Sequence, residues 1–159
     1  MNRIHFVQQC VDREIEKLHN SELKKLAYIH TYGVFQLAAL LAQMRHIDIE
    51  LASICALLHD ISQYSENAAR KEHANKSSNY AKKLLSESSF FTDEEIQQIC
   101  HCISVHSNKQ NHNDGALCEL LKDADVFQRF LYDPSTPLER NHQLRVVSIL
   151  KELKLNKGE

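Results

Sequence analysis

The chain has 159 residues, 43% of them hydrophobic and 25% charged, which fits one globular domain with a core of useful size. Its formal net charge is -2 and no Lys/Arg cluster stands out, which argues against binding of duplex nucleic acid. No segment approaches the roughly 20 apolar residues that span a bilayer, and the N-terminus lacks the apolar stretch of a signal peptide. We therefore expect one cytoplasmic domain over residues 1–159, with neither duplex nucleic acid nor membranes as partners.

Helical periodicity dominates the sequence, and no convincing strand is visible. Only three glycines and two prolines occur, and neither type interrupts the long periodic stretches. The first four predicted helices cover residues 2–19, about 21–43 with a cap at Ser21, 49–60 after a cap at Asp48, and about 72–87. The fifth begins at the capping box of Thr92 and Glu95 and ends near 107, and the sixth runs from a cap at Asp114 to the break at 133–135. The last helix begins with Thr136-Pro137-Leu138-Glu139. Loops are predicted over 61–70 and 107–113. The pattern predicts an all-α bundle of about seven helices.

The five cysteines offer no metal-binding or disulfide framework that the sequence can identify. They lie at positions 10, 55, 100, 102 and 118, without any C-x-x-C spacing. Cys55 and Cys102 fall within helical apolar patterns and are predicted to be reduced core residues. A zinc knuckle built from cysteines is not expected.

The adjacent residues His59 and Asp60 are the main candidates for a functional site. They close the apolar run Ile54-Cys55-Ala56-Leu57-Leu58, which predicts a buried helix. An imidazole and a carboxylate at the end of such a helix are costly to desolvate without a partner. Both are ligands for Zn, Mn, Fe, Co or Ni, so a divalent transition-metal ion is the predicted partner.

His30 and Asp125 are candidate co-ligands, because each lies on the inward face of another predicted helix. His30 shares its face with Val34, Leu37 and Leu41, and Asp125 shares its face with Leu117 and Leu121. Inward side chains on facing helices build the ligand sites of helical bundles. We expect these side chains to converge with the pair that ends the third helix.

The order His30, His59-Asp60, Asp125 resembles the HD superfamily of metal-dependent phosphohydrolases. Residues 56–61, Ala-Leu-Leu-His-Asp-Ile, resemble its central motif, and residues 122–125, Lys-Asp-Ala-Asp, resemble its closing motif. The resemblance covers about residues 28–130. It implies an all-α fold and an enzyme in which metal-activated water hydrolyses a small phosphomonoester or phosphodiester, with nucleotides and dinucleotides among the candidates.

Two further histidines bear on the number of metal ions. Some HD subfamilies bind a second metal with two histidines between the HD pair and the last Asp, and His73 and His106 match that order. Asp60 would then be catalytic as a ligand shared by both ions. His101 competes with His106, but His106 lies on the apolar stripe of its helix and His101 does not, so His106 is preferred.

Charged residues near these ligands have several candidate roles. Lys109 is a candidate for catalysis by contacting the substrate phosphate, with a solvated loop charge as the alternative. Asp123 is expected to act behind a ligand or in an ion pair, and Arg129 as a salt-bridge partner.

Three alternatives stay open at this stage. A mixed-valent di-iron oxygenase uses the same ligand set in a minority of HD-fold proteins, and a non-catalytic metal-binding sensor would need no substrate. The stripes of the first and last helices predict core packing, with a homodimer seam as the alternative. The substrate class rests on the resemblance, since neither G-x-G-x-x-G nor G-x-x-x-x-G-K-[ST] occurs.

Overall fold

The computed structural model describes residues 2–66 and 72–154, and these ranges contain helices and no strand. The eight helices are α1 (Arg3–Glu16), α2 (Ser21–Arg45), α3 (Ile49–Leu58), α4 (Ile61–Ser65), α5 (His73–Ser88), α6 (Asp93–Val105), α7 (Ala116–Tyr132) and α8 (Arg140–Glu152). The predicted all-α fold is confirmed. The additional helix is α4, which has five residues and lies inside the segment 61–70 predicted as a loop; residues 67–70 of that segment lie outside the described residues.

Several helix ends differ from the prediction because capping depends on where each side chain points. Asp48 caps α3 and the Thr92–Glu95 capping box opens α6, as predicted. Asn20, not Ser21, caps α2 by accepting a hydrogen bond from the Leu23 amide. Gly115, not Asp114, precedes α7.

The correction at α7 has a direct physical reason. The carboxylate of Asp114 forms an ion pair with Lys122 and is therefore not available as a cap. Gly115 has a φ of 95°, which a residue with a side chain rarely adopts. The last helix also begins later than predicted, at Arg140, because the Thr136 hydroxyl donates to Asp133 and holds the preceding residues in a turn.

Helix α3 forms the centre of the molecule. Residues 51–58 of this helix are all buried, and it packs against α1, α2, α6 and α7. A helix that is apolar on every side belongs in a protein core. None of the described helices combines the length and the apolar character needed to cross a bilayer. Because α3 lies in the core, the two residues that follow its end, His59 and Asp60, are also buried.

One prediction about the cysteines was wrong. Cys102 is buried as expected, but it forms a disulfide with Cys118 rather than remaining reduced. The bond joins α6 to α7, whose cysteine Cα atoms lie 4.5 Å apart. Cys55 is buried and free, as predicted. The pairing depends on the packing of two helices, which the spacing of the cysteines does not reveal.

Candidate metal centre

The six residues predicted as metal ligands lie in one cluster, contributed by five helices and their ends. His30 lies on α2, His59 and Asp60 follow the end of α3, His73 begins α5, His106 follows α6, and Asp125 lies on α7. All are buried except His30, whose side chain is 18% exposed. His101 is exposed, so the structure brings the preferred candidate, His106, into the cluster instead.

The imidazole rings form two close pairs. The Nε2 atoms of His30 and His59 are 3.2 Å apart, and those of His73 and His106 are 3.1 Å apart. Candidate ligand atoms of His30, His59 and Asp125 all lie within 4.8 Å of one another, as do those of His59, Asp60 and His106. These distances are short enough for one ion to contact each group.

The carboxylate of Asp60 lies between the two histidine pairs. Its Oδ2 atom is 3.5 Å from the Nε2 atoms of both His30 and His59. Its Oδ1 atom is 3.2 Å from Nε2 of His73 and 3.4 Å from Nε2 of His106. Each oxygen therefore faces a different pair of imidazoles, an arrangement suited to a carboxylate shared by two ions.

Backbone carbonyls fix the orientation of two of the rings. Nδ1 of His59 lies 2.7 Å from the Ala56 carbonyl, and Nδ1 of His106 lies 2.6 Å from the Ile103 carbonyl. A carbonyl oxygen only accepts hydrogen bonds, so each Nδ1 carries a hydrogen and donates it in a hydrogen bond. A neutral ring of this tautomer presents the lone pair of Nε2 to the cluster. Burial lowers the pKa of His59 to about 4, which keeps this ring neutral at physiological pH.

The carboxylates of the cluster are ionised although they are buried. Burial alone would raise the pKa of Asp125, but the cations of Lys109 and Arg129 hold it well below its usual range. Burial likewise opposes ionisation of Asp60, and the surrounding histidines outweigh it. Burial would lower the pKa of His30, but the carboxylates of Asp60 and Asp125 raise it.

Two buried oxygens in this cluster lack a hydrogen bond. Oδ1 of Asp60 and Oδ1 of Asp125 accept none from the described residues, although ring nitrogens and the Arg129 guanidinium lie close to them. Such atoms carry a desolvation penalty unless a ligand compensates it. A divalent cation would satisfy both oxygens and the inward-facing nitrogen lone pairs together, so the donor set fits a transition-metal ion.

Lys109 is not a solvated loop charge, and that alternative was wrong. It is 7% exposed, and its Nζ atom donates to Oδ2 of Asp125 over 2.5 Å. The predicted phosphate contact of Lys109 stays a prediction. Arg129 pairs with Oδ1 of Asp125 over 3.2 Å, as predicted for a salt-bridge partner. Both cations thus meet the same carboxylate from different sides.

Two residues that support His30 were not predicted from the sequence. The amide oxygen of Gln128 lies 2.7 Å from Nδ1 of His30, which directs Nε2 of this ring toward His59. Gly33, one turn after His30, makes room for that amide, because a Cβ atom there would lie 2.7 Å from Cγ of Gln128. The only indication in the sequence was the position of Gln128, which lies one turn after Asp125 and therefore on the same face of α7.

Comparison with known proteins identifies the family and the fold. The HD domain family model matches residues 27–129, which is more than half of the chain. The fold is similar to that in the crystal structure of a predicted HD superfamily hydrolase from an uncultured Thermotogales bacterium, with a TM-score of 0.62 and 22% identity over 94% of this chain and 88% of that chain. No curated protein shows a significant match. The chain belongs to the HD domain family.

Proposed function

We propose that the protein is a metal-dependent phosphohydrolase that uses water to cleave a phosphomonoester or phosphodiester. One observation carries the proposal, namely that the two oxygens of the buried Asp60 carboxylate face two separate histidine pairs. Buried acceptors without donors are the arrangement expected of residues that bind cations. Nucleotides and dinucleotides are the substrates that the family resemblance suggests.

The chain supplies a ligand set for each of two ions. One ion would be held by His30, His59, Asp60 and Asp125, and the other by Asp60, His73 and His106. The nitrogen and oxygen ligands suit Mn, Fe, Co, Ni or Zn. Such an ion, when bound, lowers the pKa of water and withdraws charge from phosphoryl oxygens.

The charges around the cluster favour an anionic substrate. The carboxylates of Asp60 and Asp125 are balanced by the cations of Lys109 and Arg129. Any divalent cation therefore gives the centre a net positive charge, which a phosphate group complements. A neutral substrate would leave that charge uncompensated in a largely buried site.

The supporting side chains hold the ligands in place. Lys109 and Arg129 orient the carboxylate of Asp125, and Gln128 orients the ring of His30. Nζ of Lys109 contacts the carboxylate of Asp125, so a phosphate that Lys109 also contacts would lie next to that carboxylate. Preorganised ligands of this kind reduce the reorganisation that substrate binding requires.

Metal quantification and a phosphate-release screen test the proposal. The purified full chain would be analysed for bound metals and then assayed with Mn, Fe, Co, Ni and Zn on phosphomonoesters and phosphodiesters, including nucleotides and dinucleotides. We expect one or two metal ions per chain and metal-dependent hydrolysis, followed as release of phosphate from monoesters and of the alcohol or nucleoside from diesters. Addition of a chelator should abolish release, and restoring the metal should recover it.

Two outcomes would contradict the proposal. Stoichiometric iron with an oxygen-dependent spectroscopic change and no hydrolysis would favour a di-iron oxygenase. Tightly bound metal without hydrolysis or an oxygen response would favour a non-catalytic sensor.

A further inference from the structure

A cavity of about 360 Å³ adjoins the metal centre. His30 and Asp60 form part of its lining, so a molecule in the cavity would contact the candidate ligands directly. Ligand pockets commonly have volumes of roughly 300–1,000 Å³, which places this one among the smaller examples. The cavity therefore suits a compact molecule better than a dinucleotide.

Arg129 provides a cation in the lining of this cavity, and we call His30, Asp60 and Arg129 together its polar end. Arg129 lines the cavity, whereas Lys109 is not among the described residues that do. Its Nε atom engages Asp125, yet 41% of the side chain is exposed. The remaining N–H groups of the guanidinium donate to no acceptor among the described residues, and its planar fork is well suited to a phosphate oxygen. The phosphate of a substrate would thus lie between Arg129 and the metal ligands.

Part of the cavity wall is apolar. It is formed by Leu18, Leu23, Leu26 and Ala27, and Leu23 and Leu26 remain 55% and 42% exposed. Large apolar side chains exposed around a polar site are typical of ligand contacts. This wall would be covered by the organic group of a phosphoester whose phosphate lies on Arg129.

Among the described residues that line the cavity, few polar groups could recognise a nucleoside. Apart from the polar end, the described lining offers Gln63 and Tyr64. The Tyr64 hydroxyl already shares a hydrogen bond of 3.0 Å with Thr31. A base edge and sugar hydroxyls buried there would lose their bonds to water without replacement, and this loss disfavours binding.

We propose that the cavity selects phosphoesters with a compact apolar organic group, a short alkyl chain or a single aromatic ring, over nucleotides. The inference rests on the proposed function and specifies the substrate class of the same site. The phosphate contacts Arg129 at the polar end, and the organic group packs on Leu18, Leu23 and Leu26.

A matched set of substrates tests the selection. Benzyl phosphate, glycerol 1-phosphate and adenosine 5′-monophosphate are all esters of primary alcohols, so their intrinsic reactivities are similar. Each would be assayed with the metal-loaded full chain, both as the monoester and as its methyl diester. We expect kcat/KM for the benzyl ester to exceed that for each of the other two by about tenfold or more.

The outcomes separate this inference from the proposed function. A kcat/KM for the adenosine ester equal to or above that for the benzyl ester would overturn the inference and leave the hydrolase function standing. Absence of hydrolysis of every ester, followed as phosphate release from the monoesters and alcohol release from the diesters, would refute the proposed function, and this inference with it.

Two leucines on α2 provide a variant and its control. Leu26 lines the cavity and is 42% exposed, whereas Leu40 is 46% exposed and does not line it. We expect Leu26→Asn to lower kcat/KM for benzyl phosphate by about tenfold while changing that for glycerol 1-phosphate less than about twofold. Leu40→Asn should change neither. Equal losses on both substrates in Leu26→Asn would contradict the apolar contact.

Discussion

Two aspartates on α7, separated by one residue, lie in buried charge clusters of opposite character. Asp123 receives hydrogen bonds from Arg45 over 2.8 Å and from Arg145 over 2.7 Å, one at each carboxylate oxygen. Asp125 lies in the metal centre, where its Oδ1 atom accepts no hydrogen bond from a described residue. We call the cluster around Asp123, which includes Arg45, Arg145, Glu119 and Lys122, the outer network. The comparison distinguishes a buried charge that completes a structure from one prepared for a ligand.

The outer network is satisfied by its own members. Arg145 is 3% exposed and donates to four acceptors, which are the carboxylates of Asp123 and Glu119 and the backbone carbonyls of Lys109 and Asn111. The fully buried Lys122 donates to Asp114, Glu119 and the Asn111 carbonyl. These bonds hold the segment between α6 and α7, which carries Lys109. The network therefore stabilises the fold and supports the metal centre from outside.

The metal centre has a surplus of acceptors. Four imidazoles and two carboxylates face one another, while two carboxylate oxygens remain without a donor among the described residues. Bringing these groups together costs free energy that a bound cation returns, so metal binding should stabilise the folded state. Four predictions separate the roles of the two clusters.

Replacing Asp60 should affect metal binding, whereas replacing Asp123 should affect only the stability of the fold. We expect Asp60→Asn to abolish stoichiometric metal binding and to lower phosphate release by at least about a thousandfold, because the shared ligand is lost. Added metal should therefore no longer stabilise this variant against unfolding, as it should the wild type. Metal analysis, activity assays and urea unfolding measure these effects.

The matched control for Asp60→Asn is Asp123→Asn. It should retain bound metal and activity while losing about 1–3 kcal/mol of unfolding free energy, because Arg45 and Arg145 keep no carboxylate at that position. An Asp60→Asn protein that is metal-loaded and active would refute the assignment of Asp60.

Arg145 should be the residue of the outer network whose loss costs most stability. We expect Arg145→Leu to lower the free energy of unfolding by about 3–5 kcal/mol, because buried acceptors are left without their donor. Arg140→Leu, at the exposed start of the same helix, should change it by less than about 0.5 kcal/mol. Urea unfolding of the metal-free proteins tests the difference. Comparable losses in both variants would show that the network contributes little.

The contact between Gln128 and Gly33 should affect metal affinity through the orientation of His30. We expect Gln128→Ala to raise the metal Kd by about 10- to 100-fold, the usual effect of losing a residue that orients a ligand. Gly33→Ala should weaken binding because its Cβ atom displaces Gln128. In the Gln128→Ala background the same substitution should add little, as a double-mutant cycle of metal titrations would reveal. Additive effects would contradict the shared cause.

The smallest effect concerns acid sensitivity of the outer network. Burial would raise the pKa of Glu119, but hydrogen bonds from Lys122 and Arg145 hold it below its usual range. The unfolded chain therefore takes up a proton first as the pH falls, and the contribution of Glu119 is complete above about pH 4.5 and lost below it. We expect Glu119→Gln to reduce the loss of stability between pH 6 and pH 4 by on the order of 1 kcal/mol. Identical pH profiles in urea unfolding would contradict this.

The sequence by itself determined the helical architecture and indicated the six residues that the structure brings into one cluster. Helical periodicity, capping and burial at the end of α3 are local properties, so they identified the helices, the Asp48 cap and the position of His59 and Asp60. The phase of His30 and Asp125 on their helices indicated an inward direction, and the structure places both in the cluster. The order of ligand-type residues along the chain is likewise visible without coordinates.

Only the tertiary structure decided which side chains support that centre. Gln128 meets His30 across 98 positions of sequence, and Lys109 meets Asp125 across 16. The disulfide between Cys102 and Cys118 and the capture of Asp114 by Lys122 depend in the same way on how α6 and α7 pack. Residue type and periodicity show which face of a helix is buried. The partner that a polar side chain finds there depends on the distances and angles between helices, which no local pattern encodes.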